Sequence, residues 1–339
     1  MTKTREDPRI DWQTLQRLRD AFLRGTAGDH DYWGSDRDLA HYDATFAQRI
    51  GWKWDFVLED LKRRGWTPPR GELIDHGCGS GIAARAYLDQ FGTQEITRVR
   101  FVDRSALAMA FAARRAAERF PGLNVVAGAA DTTAPETETV SAVVLISHLL
   151  TELDPIDSER LVTRLRTAAA VIWVEPGTYE ASLALIAVRE KLRDIFQPVA
   201  PCTHALRCGI LAEGNEAHWC HHFARPPGGV FTDPFWGRFA NLIGIDLRSL
   251  PLSYLVLDRR PPPSPDDGVV RVLGRPRINK ADLRVLACNA EGVTEHSIFK
   301  RDDPETFRAA KKDRFASLQR WTRSEDRIHE ARPWPEQPE

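Results

Sequence analysis

The sequence predicts an α/β fold built on a parallel sheet with helices on both faces. Two observations predict it. From Gly71 onward, short apolar runs alternate with longer amphipathic ones, the signature of strands joined by crossover helices. A glycine turn, Gly77-Cys78-Gly79-Ser80-Gly81, closes the first apolar run and opens a helical one. With 339 residues, 42% hydrophobic and 28% charged, the chain can bury one large core and carry additions.

Residues 1–67 read as an N-terminal helical region: "DWQTLQRLRDAFL" and "FAQRIGWKWDFVLEDLKRRG" space their apolar residues at three and four, and Gly65 with Pro68-Pro69 ends the second run. Residues 68–199 read as the Rossmann-like core. There "ELIDHGCGSG", "ITRVRFVDRS", "LNVVAGAAD", "VSAVVLISHLL" and "AVIWVEPG" are the strands. "IAARAYLDQF", "ALAMAFAARRAAERF", "RLVTRLRTA" and "YEASLALIAVREKLRDIF" are the helices. Residues 200–229 form a Cys/His-rich insertion with three of the five cysteines and four of the ten histidines. Residues 230–325 hold the remaining core strands and a basic β-rich extension, with "PETFRAAKKDRFASLQRW" helical. Residues 326–339 read as a polar, disordered tail.

The composition sets limits on partners and compartment. No apolar run approaches the roughly 20 residues of a membrane helix, and the first residues carry acids without an apolar segment. The expectation is a cytoplasmic monomer with reduced thiols and with no membrane or DNA partner. The net charge of −1 conceals an excess between Arg271 and Arg320, twelve Lys/Arg against seven Asp/Glu, which suits an acidic partner. Arg275, Arg277, Lys311 and Lys312 are the candidates for RNA contact.

The glycine turn discriminates between nucleotide folds. A dinucleotide fingerprint wants Gly or Ala five residues after its first glycine, and Ile82 stands there. The form Asp75-x-Gly77-x-Gly79-x-Gly81 instead resembles motif I of class I S-adenosylmethionine-dependent methyltransferases. That resemblance implies a loop around the methionine moiety (Asp75, Gly77, Gly79, Gly81), ribose held by Asp103, and Asp131 beside the adenine. Cys78 is then a small side chain within the loop.

Further stretches follow in the order of one family: "VVLISHLLTEL", "VIWVEPGT", "APC-x5-C", "WCHHF-x-R", "LSYLVLDR", "RVLGRPR" and "C-x2-EG". They resemble the methyltransferase-like proteins associated with the small ribosomal subunit, including the mitochondrial small-subunit assembly factor and its bacterial relatives. The resemblance spans roughly Gly71 to Trp321. It departs from the family at Thr203 and Gly209, where proline is usual, and at the additional His222. The resemblance implies that Cys202, Cys208, Cys220 and Cys288 ligate a [4Fe–4S] cluster. Residue types alone favour zinc, because His204, His218, His221 and His222 crowd the segment.

Methyl transfer from a sulfonium needs in-line positioning and sometimes a base. His148, after the fourth strand, and Glu175, at the end of the fifth, are weak candidates for that base. The Asn/Asp-Pro-Pro-aromatic tetrad of many amino-group methyltransferases is absent, and neither strand end carries a cysteine nucleophile. The leading reading is an S-adenosylmethionine-binding, methyltransferase-like protein that acts on the small ribosomal subunit or its rRNA, as an S-adenosylmethionine-dependent rRNA methyltransferase, a subunit-assembly factor or both. The alternatives are a non-catalytic assembly factor with an iron–sulfur cluster and, further off, a small-molecule methyltransferase.

Overall fold

The computed structural model describes residues 10–23, 33–128, 141–263 and 268–335. Two compact units emerge: Met1–Phe56 with Pro68–Leu161 and Ala224–Leu250, and Val57–Thr67 with Val162–Phe223 and Pro251–Glu339. They cut across the segments delimited from sequence, because each unit is assembled from three separate stretches of chain.

In the first unit β1 (Gly71–His76), β2 (Ile96–Val102), β3 (Val125–Ala127) and β4 (Val143–Ser147) run parallel in the order β3-β2-β1-β4. β1 and β4 are buried almost without interruption, which explains their continuous rather than alternating apolar runs. Helix α4 (Ile82–Phe91) follows β1, and α5 (Ala106–Arg119) follows β2, capped by Ser105 Oγ accepting from the Ala108 N–H at 3.3 Å. This is the α/β class with the parallel-sheet core read from sequence. Helices α1 (Trp12–Leu23) and α2 (Asp36–Ala44) belong to the same unit, with Leu18, Leu39, Ala108 and Phe111 in one buried cluster. Helix α8 (Pro234–Ile243) lies where the sequence suggested strands and extension. Its Trp236 meets Trp52 edge-on at 5.0 Å. Trp52 belongs to α3 (Phe46–Arg63), whose last residues fall in the second unit; α6 (Pro155–Leu165) also spans the division.

In the second unit β8 (Leu250–Asp258) runs antiparallel to β5 (Ala170–Pro176) and β6 (Gln197–Ala200), and β7 (His222–Ala224) also pairs with it. Helix α7 (Tyr179–Leu192) follows β5, its N-cap Thr178 Oγ1 accepting from the Ala181 N–H. The C-terminal part closes a five-stranded barrel. Its strands are β9 (Val269–Ile278), β10 (Asp282–Asn289), β11 (Gly292–Phe299), β12 (Leu318–Ser324) and β13 (Arg327–Pro333), ordered β10-β11-β13-β12-β9. Val272, Leu283, Val285, Ile298, Phe307 and Ile328 fill it.

Two expectations are corrected here. The run read as one helix is α9 (Pro304–Lys311) followed by β12, and residues 327–333 of the supposed disordered tail are β13. β13 carries few apolar side chains, but Ile328 and Ala331 reach the barrel core, and its backbone partners β11 and β12 come from elsewhere in the chain. Closure of a barrel supplies hydrogen bonds that local composition does not reveal.

Candidate functional site

The glycine turn sits at the carboxyl end of β1. Gly77, Gly79 and Gly81 all have positive φ, at 71°, 49° and 75°. A side chain at Gly81 would lie 2.8 Å from Ala112 Cβ, so this glycine lets α4 approach α5. At Gly79 an added Cβ would meet nothing within 4 Å among the described residues. The Gly79 N–H donates to Asp103 Oδ2 at 2.9 Å, and the Ser105 N–H donates to Asp103 Oδ1 at 3.0 Å. The acid at the end of β2 therefore reaches the middle of the turn. Asp75 is fully buried; its Oδ2 accepts from the Ala84 N–H at 3.1 Å and ties the turn to α4. Burial pushes its carboxyl up to about 7, with the Ala84 N–H and Arg85 opposing in part. Its Oδ1 has no hydrogen-bond partner among the described residues. Cys78 is buried within the turn, as expected. Asp131 lies outside the described residues.

His148 follows β4 with φ +54°, a sparsely populated conformation for a non-glycine residue. Its Nε2 lies 3.1 Å from Lys53 Nζ and its Nδ1 3.2 Å from Ser147 Oγ, which also accepts from Trp54 Nε1 at 3.0 Å. Because an ammonium only donates, Nε2 is assigned as the acceptor and the proton to Nδ1. Burial, with Lys53 and Arg49 nearby, holds the imidazole well below its usual pKa, so it is neutral with both nitrogens engaged. Glu175 is fully buried in β5 and accepts from Trp173 Nε1 at 2.7 Å. It does not cap α7, since Thr178 does.

The four candidate cysteine ligands all belong to the second unit. Cys208, Cys220 and Cys288 pack against Ile186, Ile210, Leu273 and Val293. Burial pushes the Cys220 thiol well up, and the sulfurs of Cys202, Cys288 and Cys208 add to it. Cys288 is raised by burial and then by Cys202 and Cys208. Residues far apart in sequence therefore share one neighbourhood. His204 Nε2 lies 3.7 Å from Cys288 Sγ, and His222 Nε2 lies 3.7 Å from Cys220 Sγ. Among the described residues, no three His, Cys, Asp or Glu side chains are arranged to hold one metal ion.

The basic candidates lie on the barrel unit, and several of the charges there are paired. Arg277 is salt-bridged to Glu295, Arg284 to Asp282 at 2.9 Å and Arg327 to Asp302 at 2.8 Å. Arg275 lies over the Phe223 ring at 4.2 Å, and Lys311 over Phe307 at 5.3 Å. Lys312 is exposed just beyond α9. Arg271, one of the cations behind the basic excess, is buried.

The family described as mitochondrial small ribosomal subunit Rsm22 matches residues 55–320. The chain belongs to the Rsm22 family. No curated protein matches its sequence. Among solved structures, a candidate RNA methyltransferase from Pyrococcus horikoshii aligns at 11% identity and TM-score 0.37, covering 61% of this chain and 83% of its own. Geranyl diphosphate methyltransferase in complex with SAM aligns at 15% and 0.39, covering 67% and 92%. The plantazolicin methyltransferase BamL aligns at 11% and 0.37, covering 74% and 100%. Scores this low add nothing to the strand order and glycine turn already described. No described helix is long and apolar enough to cross a membrane.

In this Rsm22-family chain the cysteine segment rests on residues that sequence reasoning did not single out. Arg64 Nη1 donates to the Val199 and Cys202 carbonyls, both at 2.9 Å, and its Nη2 to the Pro201 carbonyl at 2.8 Å. Arg271 donates to the same Pro201 carbonyl at 3.1 Å. Asp60 holds both arginines, at 3.1 Å from Arg64 and 2.6 Å from Arg271, and accepts from Tyr254 Oη at 2.8 Å. On the other side Arg189 donates to the carbonyls of His204 and Leu206 at 3.2 and 2.8 Å. Three buried arginines thus fix the backbone around Cys202 and before Cys208. Asp60 of α3 and Arg64, the residue just after it, are spaced i, i+4, but the pattern is common on solvated helices and gave no sign of burial.

Proposed function

We propose that this chain binds S-adenosylmethionine on the turn from Asp75 to Gly81 and acts on the small ribosomal subunit or its rRNA. One observation carries the reading: three glycines of positive φ at the end of β1, with Asp103 at 2.9 Å from the Gly79 N–H and, among the described residues, nothing within 4 Å of a Cβ built at Gly79. The residues suit the cofactor. Gly77 and Gly79 would admit its methionine portion to the backbone, Asp103 would accept from its ribose hydroxyls, and the buried Asp75 braces the turn. When bound, the cofactor supplies an electrophilic methyl group on sulfur. Asp103→Ala is expected to weaken binding by about 1.5–3 kcal/mol, roughly ten- to a hundredfold. Calorimetry in which the parent takes up no S-adenosylmethionine sinks the proposal.

The assembly-factor reading has its own support. His148, the base candidate nearest a strand end of the cofactor sheet, is neutral and engaged at both nitrogens. Comparing rRNA modifications by mass spectrometry in a deletion strain and its parent separates the two readings. A missing methyl group in the deletion strain establishes catalysis, and an unchanged modification set with defective subunit maturation establishes assembly.

The cysteine neighbourhood suits a thiolate-bound cofactor in kind, with four thiols carried by separate stretches of one unit. Cys202, Cys208, Cys220 and Cys288 would hold a [4Fe–4S] cluster, and its binding free energy would add to the folding of that unit. About four irons and four sulfides per anaerobically purified chain is the expected content, lost on Cys→Ser substitution at each of the four positions and kept in Cys78→Ser. One zinc per chain would replace the cluster with a structural zinc site.

A further inference from the structure

The barrel has the strand order of an OB-fold. Counting from β9, its strands close in the order first, second, third, fifth, fourth, with the third and fifth parallel. Helix α9 lies between the third and the fourth. OB-folds bind single-stranded nucleic acids on the outer face of their second and third strands. Here Leu286 and Cys288 of β10 and Val293 of β11 pack instead with Ile210, Cys208 and Cys220. The chain's own cysteine segment therefore covers part of the usual ligand face. Topology does not assign function, so a site has to be found in side chains.

The covering segment carries such side chains. Trp219, His221 and Phe223 alternate along the chain, so their rings fall on one face, while Cys220 and His222 turn inward. Trp219 stacks on His221 at 4.5 Å, and His221 meets Phe223 at 5.5 Å. Exposed Tyr179 extends the row at 6.0 Å from Trp219, and exposed Arg275 of β9 ends it over Phe223 at 4.2 Å. β9 is shaped for this row. Gly274 has φ +68°, its N–H donates to the His221 carbonyl at 2.9 Å, and a Cβ there would lie 2.8 Å from His221 Nε2. Aromatic faces interleaved with arginine are what unpaired bases stack on, and exposed Arg275 supplies a charge for phosphate or a plane for stacking.

We propose that the row Tyr179, Trp219, His221, Phe223 and Arg275 is a base-stacking site for single-stranded RNA. The proposal rests on the reading of the chain as an RNA-associated factor and adds the place and the form of RNA. The test is fluorescence anisotropy of the full, anaerobically purified chain with three labelled probes. These are an oligouridylate of about a dozen nucleotides, an abasic oligonucleotide of equal length, and an RNA duplex.

The oligouridylate should bind more tightly than the other two. Phe223→Leu and Tyr179→Ala should each weaken it by about five- to a hundredfold with an unchanged melting temperature, and Phe223→Trp should retain it. Should Phe223→Leu unfold, Tyr179→Ala, at an exposed ring, still decides the matter. If the parent binds the oligouridylate and the ring variants match it, this site is wrong while the RNA reading stands. Equal affinity for the abasic probe or the duplex overturns stacking. No binding to any of the three removes the site and the RNA reading together.

Discussion

Asp60 and Asp75 are both fully buried, one in each compact unit, yet their carboxyls are driven in opposite directions. Burial alone would raise both. At Asp60 that push is overcome by Arg271, Arg64 and Arg63 and by the Tyr254 hydroxyl, which hold the carboxyl well below the usual range. At Asp75 the opposing Ala84 N–H and Arg85 are too weak, and the carboxyl rises to about 7. The partners, rather than the depth, decide whether a buried acid is an anchor charge or a near-neutral brace.

The largest expected effect breaks the Asp60 side. Asp60→Ala leaves Arg64 and Arg271 buried without their counter-charge and should cost about 3–5 kcal/mol in urea unfolding. It should also loosen the backbone around Cys202, read as faster amide hydrogen exchange there. If the variant keeps the parent's stability, the network does not anchor the second unit.

On the Asp75 side, Gly81→Ala combines φ +75° with a contact 2.8 Å from Ala112 Cβ and should cost about 2–4 kcal/mol. Gly79→Ala meets no neighbour among the described residues and should cost only about 1–2 kcal/mol, from its φ of +49°. It should nonetheless weaken the proposed S-adenosylmethionine binding, because the added methyl stands at the middle of the turn. Equal stability losses in the two variants would mean that the helix contact at Gly81 carries no weight.

The gentlest test is the pH dependence of stability. The unfolded chain ionises its aspartates near pH 3.9. Asp75 holds its proton up to about pH 7 in the native state, so its contribution is fully present below about pH 4 and is lost as pH rises towards 7. The limiting slope is about 1.4 kcal/mol per pH unit. Asp60 is the reverse: its ion pairs stabilise fully above about pH 4 and lose their contribution as pH falls further. Asp75→Asn should flatten the decline between pH 4 and 7 and leave the acid limb in place. A parent-like decline in that variant would mean that Asp75 is not its source.

The glycine turn was legible because it is local. Asp75, Gly77, Gly79 and Gly81 lie within seven residues, and each glycine has the positive φ that makes glycine necessary there. Asp103 required only the next strand end. The cysteine positions came from resemblance, and their convergence required the fold. Arg271 shows the limit of counting charge. It was grouped with surface cations, but Asp60, 211 positions earlier, draws it into the core. β13 was missed for a related reason, since its hydrogen-bond partners are non-local.

The sequence by itself determined the alternation that makes a parallel sheet and the turn that ends β1. Those are properties of residue type and short spacing, set by backbone sterics and apolar periodicity. Tertiary structure alone decided that the basic extension closes as an OB-ordered barrel, that three arginines grip the cysteine backbone, and that Tyr179 and Arg275 flank the rings of Trp219, His221 and Phe223. Each of these depends on pairings between distant segments, and short-range patterning does not encode which buried charge or strand edge will meet which partner.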